Sequence, residues 1–388
     1  MGNIARLKVG CKGLPFYGLS TCRENRFTIN LRMVYNWGQM NLNTRGEEIR
    51  TFILAQVGAH PDDIATRVSA QFGITRQAAG KHLKRLVISG ELVGEGNTRQ
   101  RSYRLQVLPE RTFHYTISPG LEEDRAWRLD IAPSLGALPK NVLDIWQFCF
   151  TEMFNNAVDH SEGDSILVKV ASTAANTEIL LMDDGIGIFR KIQHAMHLLD
   201  ERQAILELAK GKLTTDPERH TGQGIFFTSR LLDSFKIISG GVFYAHASES
   251  EEDWIMQPPE LHTGTTVFMA LSNRSKRSDR LIFSQYTSGQ DFGFTKTVVP
   301  VKLAQYGEDK LISRSQAKRL LTRVDQFKSV VFDFEGVSSI GQAFADEIFR
   351  VFARSHPEIE LAAVHASADV QQQVQSARSH WAAETGGL

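Results

Sequence analysis

The chain has 388 residues, 42% of them hydrophobic, and its 44 basic side chains are balanced by 44 acidic ones. That length accommodates two or three domains with real cores, and a formal net charge of zero leaves any nucleic-acid contact to a local basic patch. No apolar run approaches the ~20 residues of a membrane span, and Cys11, Cys22 and Cys149 show neither CxxC spacing nor a histidine partner, so a cytoplasmic protein without a membrane partner is expected.

Residues 1–39 mix glycine, cysteine, arginine and aromatics without a period and lack the apolar centre of a signal peptide. They read as a translated upstream extension with Met40 as the natural start, or as a short strand-rich cap. Residues 1–44 are therefore set apart as an N-terminal extension. Helical periodicity begins near Glu47 with IRTFILAQV and pauses at Ala59-His60-Pro61. A second helix follows, with Pro61 near its first turn and Gly73 closing it. Thr75 is the expected N-cap of a third helix, TRQAAGKHLKRLVISG. Glu91 to Val93 and Arg101 to Leu105 then form a hairpin around a turn at Gly94–Asn97.

Three helices and a hairpin over residues 45–106 resemble a winged helix-turn-helix, and ITRQAAGKHLKRLVISGELVGEG is similar to stretches of bacterial winged-helix regulators. The resemblance implies that the third helix enters the DNA major groove while the wing touches the backbone. Arg76 and Gln77, at the helix start, are the expected base readers because guanidinium and carboxamide make bidentate contacts. Lys81, Lys84 and Arg85 are expected at phosphates, with Arg99, Arg101 and Arg104 on or near the wing. Only Glu91 and Glu95 oppose this charge between Thr75 and Arg104. The alternative is a winged helix used only for protein contact.

Residues 107–140 read as a connector. Pro119, Pro133 and Pro139 break it too often for one long helix. A histidine autokinase would carry a long helical hairpin here with a phosphoacceptor histidine. His114 lies instead in a strand-like FHYTI context, which argues against autokinase activity.

The stretch FCFTEMFNNAVDHS, Phe148 to Ser161, reads as a helix with Glu152 and Asn156 on one face. Two strands follow, then DDGIGI (Asp183 to Ile188), HTGQGIFFTSR (His220 to Arg230) and GTTVFMAL (Gly264 to Leu271). The order of these four elements resembles the nucleotide-binding domain shared by gyrase, Hsp90, MutL and histidine kinases, the GHKL family, over residues 141–272. The family implies an α/β sandwich that binds ATP with Mg²⁺. Asn156 would offer its oxygen to the metal, and Glu152 would orient or deprotonate an attacking water. Asp183 would read the adenine amine, with Thr265 close by. Gly185 and Gly187 would let the backbone approach base and sugar, and Gly222 and Gly224 would lead into a helix N-terminus suited to phosphate. Asp159 completes the expected nucleotide set. His220 stands where many relatives have glycine, so a stiffer phosphate loop is expected. Residues 189–219 read as a lid, helical up to Ala209. There Lys210, Lys212 and Arg219 either meet phosphates or form a solvated face.

SNRSKRSDR, Ser272 to Arg280, opens a polar linker (273–294) with the chemistry of a flexible tether. Strands and helices then alternate over residues 295–388, a small α/β unit. The run ISRSQAKRLL…SVVFDFEGVSSIGQAFADEIFRVF resembles the STAS-like domain of unknown function. True STAS antagonists place a phosphorylatable serine at the start of the helix after the DF strand. Here that neighbourhood is Gly341-Gln342-Ala343, without a hydroxyl, and Ser338 and Ser339 read as turn or cap residues.

The expected architecture is thus a multidomain α+β and α/β chain: winged helix, GHKL sandwich, STAS-like domain. The expected function is an ATP-responsive, DNA-binding transcriptional regulator, with a possible protein partner at the C-terminal domain and a possible homodimer. The alternatives are a serine-type protein kinase of the anti-sigma factor kind acting on a separate STAS partner, and an ATP-hydrolysing dimer clamp.

Overall fold

The computed structural model describes residues 45–97, 101–213, 222–248, 252–256, 262–287, 293–305 and 310–385. The chain divides into a unit ending at Glu48 and a unit running from Ile49 to Leu388. The first holds residues 1–44, which lie outside the described residues, and with them the expected N-terminal extension. Among the described residues no helix is long and apolar enough to cross a membrane.

The first module has three helices, α1 (45–56), α2 (Ile64–Phe72) and α3 (Arg76–Ile88), and a hairpin of β1 (Leu92–Glu95) and β2 (Ser102–Leu105). Gly73 ends α2 in the left-handed conformation (φ +61°), which costs glycine no Cβ clash. Two residues on, the Thr75 side chain accepts the Ala78 N–H at 3.1 Å and starts α3. Ile53, Val57, Ile64, Val68, Leu83 and Leu92 meet in one small apolar core.

The second module is built on a seven-stranded antiparallel sheet. Its strands are β3 (Arg111–Thr116), β4 (Ser165–Ser172), β5 (Asn176–Asp183), β6 (Ser234–Gly240), β7 (Val242–Ala247), β8 (Glu252–Met256) and β9 (His262–Ser272), in the order β3-β4-β5-β9-β6-β7-β8. The stretch expected to be a connector thus supplies the edge strand: β3 pairs with β4 from Arg111↔Val170 to Thr116↔Ser165. The chain then forms α4 (Glu123–Ala126), a π-turn (Trp127–Ile131) and α5 (Ala132–Leu135), where Pro133 is tolerated in the first turn. His114 sits in β3 opposite Leu167, as a strand residue.

Helix α6 (Lys140–His160) covers the sheet because Val142, Ile145, Trp146, Cys149, Phe150, Met153, Phe154 and Ala157 recur at helical spacing and are all buried. They meet the alternate residues Val168, Ile179, Leu181, Val267 and Met269, which the registers place on one sheet face. The remaining helices of this layer are α7 (Ile188–Ala195), α8 (Glu201–Lys210) and α9 (Gly224–Leu231).

Over its described residues 273–287, the expected linker is not a free tether. Asn141 Nδ2 donates to the carbonyls of Ser275 (2.8 Å) and Arg277 (2.9 Å), and Arg277 pairs with Asp233 at 2.6 Å. Ser278 caps α10 (Asp279–Gln285), whose Phe283 packs on Phe227 with ring centroids 4.4 Å apart. Short polar residues here satisfy backbone groups, and the aromatic that follows them is packed against the core.

The C-terminal domain is a parallel sheet of β10 (Lys296–Pro300), β11 (Ser329–Asp333) and β12 (Glu360–Val364), with β11 in the centre. Its helices are α11 (Arg314–Leu321), α12 (Gln342–Asp346), which continues through a π-helix (Glu347–Phe352) into α13 (Ala353–Ser355), and α14 (Ala368–Thr385). A Ser313/Gln316 capping box starts α11.

Candidate functional site

A cavity of about 370 Å³ opens between α6, the strands β5 and β9, and the helices α7 to α9, within the usual range for small-molecule sites. Glu152, Asn156, Asp183, Gly222, Gly224 and Thr265 all line it. Gly185, Gly187 and Asp159 do not. Asp159 is exposed on α6, three residues after Asn156. The two glycines act one step back. A Cβ on Gly185 would run into the Ser161 carbonyl, and one on Gly187 (φ +90°) would lie 2.6 Å from Ser239 Oγ. Glycine there lets the turn after β5 close against the end of α6, where the Ile186 N–H donates to the Ser161 carbonyl at 2.9 Å.

Asp183 and Thr265 form the floor. Asp183 Oδ1 accepts the N–H groups of Gly185 (3.0 Å) and Thr265 (3.1 Å), and Thr265 Oγ1 accepts the Ile188 N–H at 3.0 Å. Burial pushes the Asp183 carboxyl above its usual range, and these hydrogen bonds only partly oppose the shift. Its neighbour Asp184 has a different task. It accepts from Ser165 Oγ (2.6 Å) and from the backbone of Asp164 and Ser165, and the Ser165 bonds hold its pKa down. One aspartate of the pair faces the cavity and the other ties β4 to the turn.

At the opposite end, the Glu152 carboxylate stands over the first residue of α9, where a Cβ on Gly224 would collide with Oε2. The helix N-terminus carries partial positive charge and favours an anion at that point. Asn156, one turn along α6, opens onto the same space. Among the described residues no group of three or more metal-ligating side chains is present. A Mg²⁺ held by one protein oxygen, waters and ligand phosphates needs no such group, so the donor set fits that ion.

Lys191 lines the cavity, and sequence reasoning passed over it. Its Nζ donates to the His160 carbonyl (2.8 Å) and to Glu162 Oε1 (2.9 Å), which brings a cation to the end of α6. Nothing in the sequence separates Lys191 from the other basic residues of that stretch; only the direction of the first turn of α7 does.

The lid cations are placed differently from the phosphate-binding alternative. Lys210 has no solvent exposure and is paired with Glu207 at 2.7 Å. Burial pulls its amine down to about 8, against the opposing pull of Glu207. Lys212 Nζ donates to the Gln326 carbonyl at 2.7 Å. Arg219 and His220 lie outside the described residues.

On the first module, Arg76, Gln77, Lys81, Lys84 and Arg85 are all exposed, while Ala79, Leu83 and Leu86 of the same helix are buried. Arg101 is exposed, its guanidinium 5.4 Å from the Tyr103 ring centroid; Arg99 lies outside the described residues. The two acids of this region are bound away from α3. Glu91 pairs with Arg50 of α1 at 2.6 Å, and Glu95 pairs with Arg104 across the hairpin. The basic face of α3 therefore keeps its charge.

Residues 316–371, from α11 into α14, match the family model of a STAS-like domain of unknown function. No curated protein matches the chain.

Proposed function

We propose that the protein is an ATP-binding, DNA-binding transcriptional regulator whose GHKL-type sheet domain holds Mg·ATP and whose N-terminal winged helix holds duplex DNA. The observation that carries the reading is the convergence on one cavity of two pairs that are far apart in sequence. Asp183 with Thr265 offers an acceptor for an amine in an apolar floor, and Glu152 with Asn156 offers oxygens beside a helix N-terminus. A ligand matching both ends carries a hydrogen-bond donor on a flat apolar part and an anionic, metal-binding tail. A nucleoside triphosphate is such a ligand. The exposed face of α3 supplies the second half of the reading, since five exposed polar and basic residues stand on one helix with their acids paired elsewhere.

Calorimetric titration with Mg·ATP, followed by duplex-DNA binding with and without ATP, tests both halves. The expected result is saturable ATP binding and an ATP-dependent change in DNA affinity. Absence of ATP binding, or of duplex binding at low salt under either condition, refutes the corresponding half.

The position of Glu152 favours a second reading, in which ATP is turned over. A carboxylate facing the cavity next to the phosphate end can act as a base on water or on a serine hydroxyl. Incubation with γ-labelled ATP separates the outcomes. Labelled protein supports a serine-type kinase, free phosphate supports a hydrolysing dimer clamp, and neither supports a sensor that binds without chemistry.

A further inference from the structure

The end of α8 and the turn after it are gripped by the C-terminal domain. Lys210 Nζ donates to Glu207 Oε1 and to the Thr322 carbonyl, each at 2.7 Å, with the Arg319 carbonyl at 3.4 Å. Arg323 Nη1 reaches the other Glu207 oxygen at 3.2 Å, and its Nη2 donates to the carbonyls of Gly211 (3.4 Å) and Lys212. From β10, Thr297 Oγ1 donates to the Lys210 carbonyl at 2.7 Å. Arg323 holds a left-handed backbone (φ +62°), a conformation that a side chain larger than Asn rarely takes unless its surroundings fix it.

The same segment is a wall of the cavity. Leu208 and Leu213 line it, next in sequence to Glu207 and Lys212. The Leu213 N–H donates to the Gly222 carbonyl at 3.1 Å, which ties the segment to the glycine-rich turn. A parallel apolar route exists: Phe226 lines the cavity and packs on Phe294 (4.7 Å), which packs on Phe327 (5.2 Å) of the C-terminal domain. A buried ion pair is weak evidence for stability by itself. Fully supplied with carbonyl acceptors, it specifies one seating of α8.

We infer that the STAS-like domain clamps α8 and the turn after it, a wall of the candidate nucleotide site, from within the same chain, with Arg323 as a positioning residue that sets nucleotide affinity without touching the nucleotide. This rests on the ATP reading above. Because binding couplings are reciprocal, nucleotide seated against Leu208 and Leu213 also tightens the hold of the domain on α8. The C-terminal domain is then the route by which any event on its own surface reaches the site.

The test uses the full chain, with Arg323→Gly and Arg323→Lys. Glycine adopts φ +62° freely, so the first variant removes the guanidinium and leaves the backbone its conformation. Mg·ATP affinity is read by calorimetry, hydrogen exchange over residues 201–213 with and without ATP, and melting temperature alongside. Arg323→Gly is expected to bind ATP about 5- to 20-fold more weakly, within the usual range of couplings, and to exchange faster over 201–213. Added ATP should recover part of that protection, and Arg323→Lys should fall between the two. If the glycine variant unfolds, the lysine variant decides. A folded variant with wild-type ATP affinity and wild-type exchange overturns the inference and leaves the nucleotide reading intact. A wild-type protein that binds no ATP overturns the nucleotide reading, and the clamp with it.

Discussion

Replacing Asp183 with asparagine separates what this residue does for the fold from what it does for a ligand. Oδ1 accepts two backbone N–H groups, and an asparagine Oδ1 can accept both in the same place. These two backbone hydrogen bonds therefore survive the change. Burial raises the Asp183 pKa in the folded protein above its unfolded value. The folded state accordingly holds its proton to higher pH than the unfolded state does. The stability this confers is complete below the unfolded pKa of 3.8 and is lost as pH rises through the raised folded value. At neutral pH the folded protein carries the full cost of a buried carboxylate, and asparagine removes it. Asp183→Asn should melt at or above the wild-type temperature at pH 7, and the advantage should vanish in acid. For the ligand the sign reverses. An amide NH₂ faces the nucleotide amine where an acceptor is needed, at a cost of about 1.5–3 kcal/mol for a hydrogen bond to a charged group. That is about a 10- to 150-fold loss of ATP affinity by calorimetry. Wild-type affinity should also fall at a higher pH than an ordinary carboxylate would give, a dependence the variant lacks. A variant that is less stable than wild type, or that binds ATP equally well, refutes the assignment of Asp183.

Further outcomes follow from other parts of the molecule. Asn156→Ala should weaken ATP binding in the presence of Mg²⁺ and change little when the metal is chelated, by parallel titrations. Glu152→Gln should retain ATP and lose any turnover by roughly 10²–10⁴-fold. Gly224→Ala should fold and mimic it, because the added methyl displaces the end of a flexible side chain; phosphate release measures both. Reversing Lys84 and Arg85 to Glu should weaken binding to all duplexes and flatten the salt dependence, each lost phosphate contact removing about 0.9 from the log–log slope. Arg76→Ala should relax preference at one base pair by about 1–3 kcal/mol. Lys210→Ala should destabilise the chain by about 3–5 kcal/mol in chemical denaturation, since it strips a fully buried carboxylate of one partner.

Local signals carried much of the architecture. Thr75 as N-cap, Gly73 as terminator and the alternating strands and helices after Lys296 all stand where their residue types predict, because caps and periodicity act over a few residues. The four stretches expected to build one site meet at one cavity, and six of the nine residues expected there line it. What escaped depends on contacts between distant segments. Residues 111–135 resemble a connector because prolines punctuate them, yet β3 is recruited by the free edge of β4, which no local pattern announces. Lys210 and Lys212 look like any solvated lysines until Arg323, over a hundred residues later, is brought beside them. Arg274 and Arg277 read as linker charge, and become anchors only when Thr51 and Asp233 face them.

The turn between β4 and β5 also fixes how far the chain can be treated as interchangeable parts. Ala175 completes the core of the first module, and Arg274 Nη1 donates to Thr51 of α1 at 2.8 Å. Asn273 holds that turn by donating to the Thr173 carbonyl and accepting from Thr177 Oγ1. β9 therefore carries Thr265 of the cavity near one end, and runs straight into Asn273 and Arg274 at the other. Over that span a strand is about 25–30 Å of stiff ladder. A chimera that exchanges residues 45–105 for another helical module, cut at the apparent boundary, would leave Ala174 and Ala175 facing water and Arg274 without Thr51. A graft that includes the 173–176 turn and residues 273–274 would transplant the joint with the module. The seam between the two lies inside the sheet domain and not in the chain that connects them.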